Sequence, residues 1–195
     1  MLFWSIFEQA GSTLNLFADR STRNEVFGIP FPSSWFQALN SMYIFALGPF
    51  FAWLWLNLRD RNPSLVTKFA IGLLGVGASF VLMVIAGKAL GADGKVSPLW
   101  LVGVYLIQTV AELCLSPVGL SAITKLTPPR IAGFAMGVWF LSISVGNFIA
   151  GRMSSFYESM PFDQLVGYGA VPCLVLGLVL LLISKPVTKL MGGVK

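Results

Sequence analysis

Residues 97–126 read SPLWLVGVYLIQTVAELCLSPVGLSAITKL, and this stretch decides the fold. From Pro98 to Leu126 its only charged residues are Glu112 and, near the end, Lys125. Pro98 suits a helix start. As a helix, the run covers about 42 Å at about 1.5 Å per residue, more than the bilayer core of about 30 Å. A helix this long without a polar face is a membrane span, tilted or extending beyond the hydrocarbon. Glu112 then lies about 21 Å from either end, close to mid-membrane.

The remainder of the 195-residue chain agrees. Hydrophobic residues make up 56% and charged residues 11%, with mean hydropathy +0.80. A soluble domain carries about 25% charged residues, so a soluble protein is excluded. There is no histidine, which leaves any proton chemistry to carboxylates. Cys114 and Cys173 sit in apolar stretches, fit no CxxC or zinc spacing, and read as small hydrophobes. The net charge of +5 is backed by no nucleic-acid-binding motif, so nucleic acid is not an expected partner. No nucleophile–base or metal cluster is visible, so the chain does not read as an enzyme.

Six apolar spans are predicted, over residues 1–18, 35–58, 66–86, 98–126, 131–154 and 166–183, joined by short links with no soluble domain. The fold class is all-α and integral to the membrane. The first span has no basic residue before it and does not resemble a signal peptide. It reaches only about 27 Å, so the chain is expected to begin partway into a helix and to be a fragment.

Lysine and arginine counts orient the spans. One side carries eight (Arg59, Arg61, Lys68, Lys125, Arg130, Lys185, Lys189, Lys195) and the other five (Arg20, Arg23, Lys88, Lys95, Arg152). The positive-inside rule puts the 59–68 and 125–130 loops and the C-terminus in the cytoplasm.

Glu8 and Glu112 are the two acids deep inside spans. A charge there costs several kcal/mol unless paired, solvated or protonated, and intramembrane acids mark ion or substrate paths. No lysine or arginine lies at comparable depth. Each glutamate could be protonated, line an aqueous cavity, or meet a partner outside this chain. Gln108, Glu112 and Ser116 share one helix face at a spacing of four, and Ser12 stands four beyond Glu8. Asn40 lies near the outer end of the second span and Asn147 inside the fifth.

Pro49 and Pro117 each remove a backbone hydrogen bond, and Pro117 with Gly119 beyond Glu112 reads as a flexing point. Gly133 with Gly137 and Gly72 with Gly75 predict close helix packing. Trp35 and Trp100 suit interface anchors. Trp139, about 12 Å into the fifth span, is too deep for that belt and suits a cavity wall.

The residues point to a family. Phe3–Arg20 (FWSIFEQAGSTLNLFADR), Trp35–Trp55 (WFQALNSMYIFALGPFFAWLW), Ser97–Leu126 and Gly133–Gly151 (GFAMGVWFLSISVGNFIAG) resemble the C-terminal half of the proton-coupled oligopeptide transporters. These form the POT or PTR family of the major facilitator superfamily. The segment AELCLSPVGLSAITKL is the most specific.

The resemblance implies a C-terminal six-helix bundle, the seventh to twelfth helices of a twelve-helix transporter, with the seventh truncated. It implies symport of di- and tripeptides with protons by alternating access, without a cofactor, in the plasma or inner membrane among lipids. Glu112 matches the tenth-helix glutamate that meets the peptide amino terminus, and Asn40 the eighth-helix asparagine contacting the same end. Trp139 matches an aromatic bordering the peptide pocket, and Ser116 follows the tenth-helix pattern near it. Glu8 matches a seventh-helix glutamate that forms a gate salt bridge with a first-helix basic residue and is linked to proton coupling.

Asn40-Ser41 departs from the family's frequent asparagine-proline. The family's helix-one motif, helix-one tyrosines and helix-four lysine belong to an N-terminal six-helix bundle, which this chain is expected to require, so the isolated chain is expected to be inactive. A carrier of a non-peptide solute and a non-transporting membrane fragment are the alternatives.

Overall fold

Within a membrane, a segment must satisfy its own backbone hydrogen bonds, and helices do so locally. The computed structural model, which describes residues 1–26 and 28–191, is accordingly built from helices. Their order is α1 (Leu2–Phe7), α2 (Thr13–Ser21), α3 (Trp35–Asn57), α4 (Leu65–Lys88), α5 (Leu99–Leu126), α6 (Ala132–Ser154), α7 (Phe162–Leu182) and α8 (Ser184–Leu190). Between α2 and α3 lies a small antiparallel hairpin, β1 (Glu25–Val26) with β2 (Ile29–Pro30). Lys195, one of the eight orienting cations, lies outside the described residues.

Five segments among the described residues are long and apolar enough to cross a membrane: α3, α4, α5, α6 with its preceding turn, and α7 with α8. The first apolar run differs from a single helix. It breaks at a 3-10 turn over Glu8–Gly11, and Ser12 leaves helical geometry at φ −129° and ψ −94°. A buried side chain holds the break. Gln9 Nε2 donates to Ser5 O at 3.2 Å and to Ala150 O of α6 at 3.3 Å. Gln9 Oε1 accepts from the Thr13 hydroxyl and, at 3.1 Å, from the Ser12 hydroxyl. Ser12 therefore serves the break and does not share a helical face with Glu8.

The core forms where α4 packs against α5 and α7, with α1 seated on α6 and touching α4 and α7. Phe3, Ile6, Leu14, Phe17, Val76, Phe80, Leu101, Val104 and Val166 are buried in it. Small residues permit the α4–α5 approach. A Cβ on Gly72 would meet Leu115 Cβ at 2.9 Å, and one on Gly75 would meet Ala111 Cβ at 2.9 Å. The Gly133–Gly137 pair does not behave this way. A Cβ on either would meet nothing within 4 Å, so the packing expected there is not made among the described residues. Helix periodicity puts these two glycines on an outward face of α6, which the spacing motif alone cannot distinguish from an inward one.

Helices α3 and α6 are the least covered. Apart from the turn leading into it, α6 is held through α1, the Glu8–Gly11 turn and a lighter contact with α5, and α3 chiefly through α5. Both present apolar side chains outward, among them Phe45, Trp53, Phe134 and Phe148. Polar contacts gather at the hairpin end. Arg20 pairs with Glu158 at 2.9 Å and Arg23 with Asp93 at 3.0 Å. Between them, Arg23 N donates to Val96 O at 3.0 Å and Val96 N to Ser21 O at 2.9 Å, tying α2 to the approach to α5.

Candidate functional site

Glu112 sits at the midpoint of α5, and Asn40 lies five residues beyond the start of α3, half-buried. The α3–α5 seam brings them together. Asn40 Nδ2 donates to Glu112 Oε2 at 3.1 Å and to Thr109 Oγ1 at 3.1 Å. Thr109 gives its own proton to Tyr105 O at 2.8 Å, so toward Asn40 it can only accept. Both amide protons of Asn40 are thereby assigned, and its Oδ1 is left as an acceptor. One of the two bonds reaches the Glu112 carboxyl, and a hydrogen bond to a charged group contributes about 1.5–3 kcal/mol; the other, to Thr109, holds the Asn40 amide against α5.

Glu8 lies at the start of the break in the first segment, half-buried beside Asn147 of α6. The break is held from two sides, by Gln9 on α6 and by the Tyr105 hydroxyl of α5, which donates to Ala10 O at 3.1 Å. One rigid turn therefore carries Glu8, and the same α5 residue supports both the turn and Thr109.

Among the described residues, neither Glu8 nor Glu112 forms an ion pair with a lysine or arginine. Among the described residues the ion pairs are the two at the hairpin end. No group of three or more Cys, Asp or Glu side chains able to hold a metal occurs among them either. The two acids are thus left without a basic side chain among the described residues.

Ser116 is half-buried one turn beyond Glu112 and takes no part in the Asn40 cluster. Gln108 is buried and turns its amide to α4, donating to Ser79 Oγ at 3.3 Å, so the expected polar face of Gln108, Glu112 and Ser116 is divided. The Trp139 ring meets Trp4 and Phe69 edge-on, each at 6.3 Å, and covers Gly119, where a Cβ would come within 2.2 Å of the indole. Its remaining side lines a groove of about 540 Å³ with Ile123, Phe134 and Val138.

The POT family model matches residues 1–172. The chain belongs to the POT family. Within it, this member is 39% identical to the uncharacterized transporter YclF of Bacillus subtilis, over 100% of this chain and 39% of that protein. It is also 39% identical to the peptide transporter YePEPT of Yersinia enterocolitica, over 98% of this chain and 39% of that one. The crystal structure of peptide transporter POT in complex with sulfate superposes with a TM-score of 0.91 at 42% identity, over 97% of this chain and 38% of that one. A POT family transporter in complex with 5-aminolevulinic acid superposes at 0.89 with 31% identity, over 96% and 39%.

This POT chain is an integral membrane protein, and its relatives and structural neighbours are transporters, not enzymes. It spans about two fifths of the length of the curated relatives it matches.

Residue-by-residue reading missed Thr109, Tyr105 and Gln9. Thr109 had a usable signal, three positions before Glu112 and so on the same helical face.

Proposed function

We propose that this chain is one six-helix bundle of a proton-coupled di- and tripeptide symporter that works by alternating access. The observation that carries the reading is the Asn40–Glu112–Thr109 cluster, a carboxylate fixed at mid-helix by an uncharged donor with no cation beside it among the described residues. A fixed carboxylate of this kind suits a primary ammonium, and a peptide's free amino terminus supplies one. Trp139 and Ser116 would border the bound peptide.

Glu8 would act as gate and coupling group. Its charge can be held by a basic side chain of a partner bundle or removed by a proton, and exchange between those two states links proton entry to gate opening. The partner is an N-terminal six-helix bundle, with the substrate held between the two halves. The uncovered faces of α3 and α6 suit contact with that bundle and with lipid. The isolated chain would not transport. The protein would need no cofactor, would reside in the plasma or inner membrane, and would keep its C-terminus in the cytoplasm.

A second reading is a POT carrier for a small amine other than a peptide. A POT family transporter related to this chain binds 5-aminolevulinic acid, which also carries a free amino group. The Glu112 cluster would suit that group too.

Uptake by the full-length transporter carrying this chain, in proteoliposomes, tests both readings. Glu112→Gln should abolish uptake of dipeptides with free amino termini. Wild-type uptake of 5-aminolevulinic acid without dipeptide competition would select the second reading, and undiminished dipeptide uptake by the Gln variant would reject the first.

A further inference from the structure

Two grooves meet at the hairpin end of the bundle. The apolar one, of about 720 Å³, lies between the hairpin, the first two turns of α3 and the first turn of α5, with Ile29, Phe31, Trp35, Leu39, Met42 and Val102 among its walls. The polar one, of about 400 Å³, is lined by Asp19, Arg23, Glu25, Asp93 and Lys95. Pro30 of β2 lines both, so the two grooves join along the hairpin. Pro30 is paired with Glu25 across the strands, which sets that residue beside the junction.

The apolar groove faces away from the Glu112 site. At about 100° per residue, Trp35, Ala38, Leu39 and Met42 share one face of α3, and Asn40 points about 150° from it. The substrate and the partner bundle belong on the Asn40 side, so this groove is turned toward lipid. Only the side taken by the partner bundle is carried over from the proposed function. Trp35 is 65% exposed and stacks on Phe31 at 6.0 Å, an indole of the kind that gathers at the membrane interface. The polar groove holds charge of both signs. Arg23 and Asp93 neutralise each other at 3.0 Å. Asp19, Glu25 and Lys95 are exposed and form no ion pair among the described residues. Two carboxylates and one ammonium beside an apolar groove complement an amphipathic zwitterion, and fixed side-chain charge at the membrane surface is what selects lipid head groups.

We propose that the joined grooves bind one phospholipid whose head group carries a primary ammonium, with its phosphate on Lys95, its ammonium on Asp19 and Glu25, and an acyl chain in the apolar groove. Phosphatidylethanolamine has this chemistry. Its ammonium gives charge-assisted hydrogen bonds to the carboxylates. The quaternary ammonium of phosphatidylcholine has no N–H to give. Phosphatidylglycerol brings a negative charge to Asp19 and Glu25 with no cation to offset them. The bound lipid touches the hairpin, α3 and α5 together, and so braces the start of α3, a helix otherwise held chiefly through α5.

Native mass spectrometry of the purified full-length transporter, titrated with lipids of identical acyl chains, reads the affinity for each head group. Phosphatidylethanolamine should bind about tenfold more tightly than phosphatidylcholine or phosphatidylglycerol, the equivalent of one charge-assisted hydrogen bond. Asp19→Asn with Glu25→Gln should erase that preference. Lys95→Met should weaken all three lipids, which share the phosphate. Ala38→Trp fills the apolar groove and should weaken phosphatidylethanolamine by a similar factor. All four positions are exposed, so these variants should fold. Equal affinity for the three lipids, a preference for phosphatidylglycerol, or unchanged binding in Ala38→Trp would overturn the site. A free dipeptide offers the same two charges without the acyl chains. If it displaces phosphatidylethanolamine from the Glu112→Gln variant, the polar groove belongs to substrate and the lipid site is wrong. Transport is not the readout, so lipid binding can hold even where Glu112→Gln leaves dipeptide uptake intact and the transport reading fails.

Discussion

Asn40 Nδ2 and Glu112 Oε2, 3.1 Å apart, join α3 to α5 across 72 positions of sequence. The same amide bonds Thr109, so Asn40 positions the carboxylate rather than merely neighbouring it.

Asn40→Ala should therefore raise the dipeptide KM by about tenfold or more, since a hydrogen bond to a charged group is worth about 1.5–3 kcal/mol. Asn40→Asp should be worse, because it sets a second carboxylate against the first. Concentration-dependent uptake by the full-length transporter measures both, and a KM equal to wild type for Asn40→Ala would show that Glu112 is held by other means.

Gly119 is the only residue type that fits beneath Trp139. A Cβ there would come within 2.2 Å of the indole ring, so Gly119→Ala should displace it and cost about 1–3 kcal/mol as an overpacked contact. Thermal unfolding in detergent should register the loss. Adding Trp139→Leu should restore part of it, a coupling that independent sites would not show.

Gln9→Leu should destabilise the protein by about 1–3 kcal/mol, because Ala150 O and the Ser12 and Thr13 hydroxyls lose a buried partner. The same substitution should free the break to close into a regular helix. Amide exchange at residues 8–12 would report it as slower exchange despite lower overall stability.

The Arg23–Asp93 pair makes the hairpin end pH-sensitive. The hydrogen bond from Arg23 holds the Asp93 carboxyl below the usual carboxylate range and holds the guanidinium above its own. A depressed carboxyl pKa gives stability that is present above the unfolded value of about 3.9 and is lost as pH falls through the folded value. Proteolysis within residues 89–97 should therefore rise in acid below about pH 4, and Asp93→Asn should show that susceptibility already at neutral pH. High salt should weaken the effect, since the pair is exposed.

The all-α membrane fold was legible because it depends on long runs without charge, which a one-dimensional reading detects directly. Glu8, Glu112 and Asn40 were legible for the complementary reason, as polar residues in apolar surroundings. Their mutual geometry was not. Nothing local to Asn40 marks it as the partner of a residue 72 positions on, and Thr109 satisfies its hydroxyl on its own helix and so leaves no mark as an acceptor. The break at Glu8–Gly11 was hidden by an apolar run that continues across it, held by a glutamine whose partners are mostly conformational. At Gly133 and Gly137 the spacing motif finds no close contact among the described residues, because which face of α6 turns inward is decided by tertiary packing.

The unequal packing of the bundle has a mechanical side. With α4 clasped between α5 and α7, deformation there would require a dense interface to be rebuilt, whereas α3 and α6 hang on narrow seams. Compliance is thus concentrated in two blades on a stiff keel. Since α3 carries Asn40, a swing of that helix would part Asn40 from Glu112 while the backbone that carries Glu112 stays with the α4–α5 core.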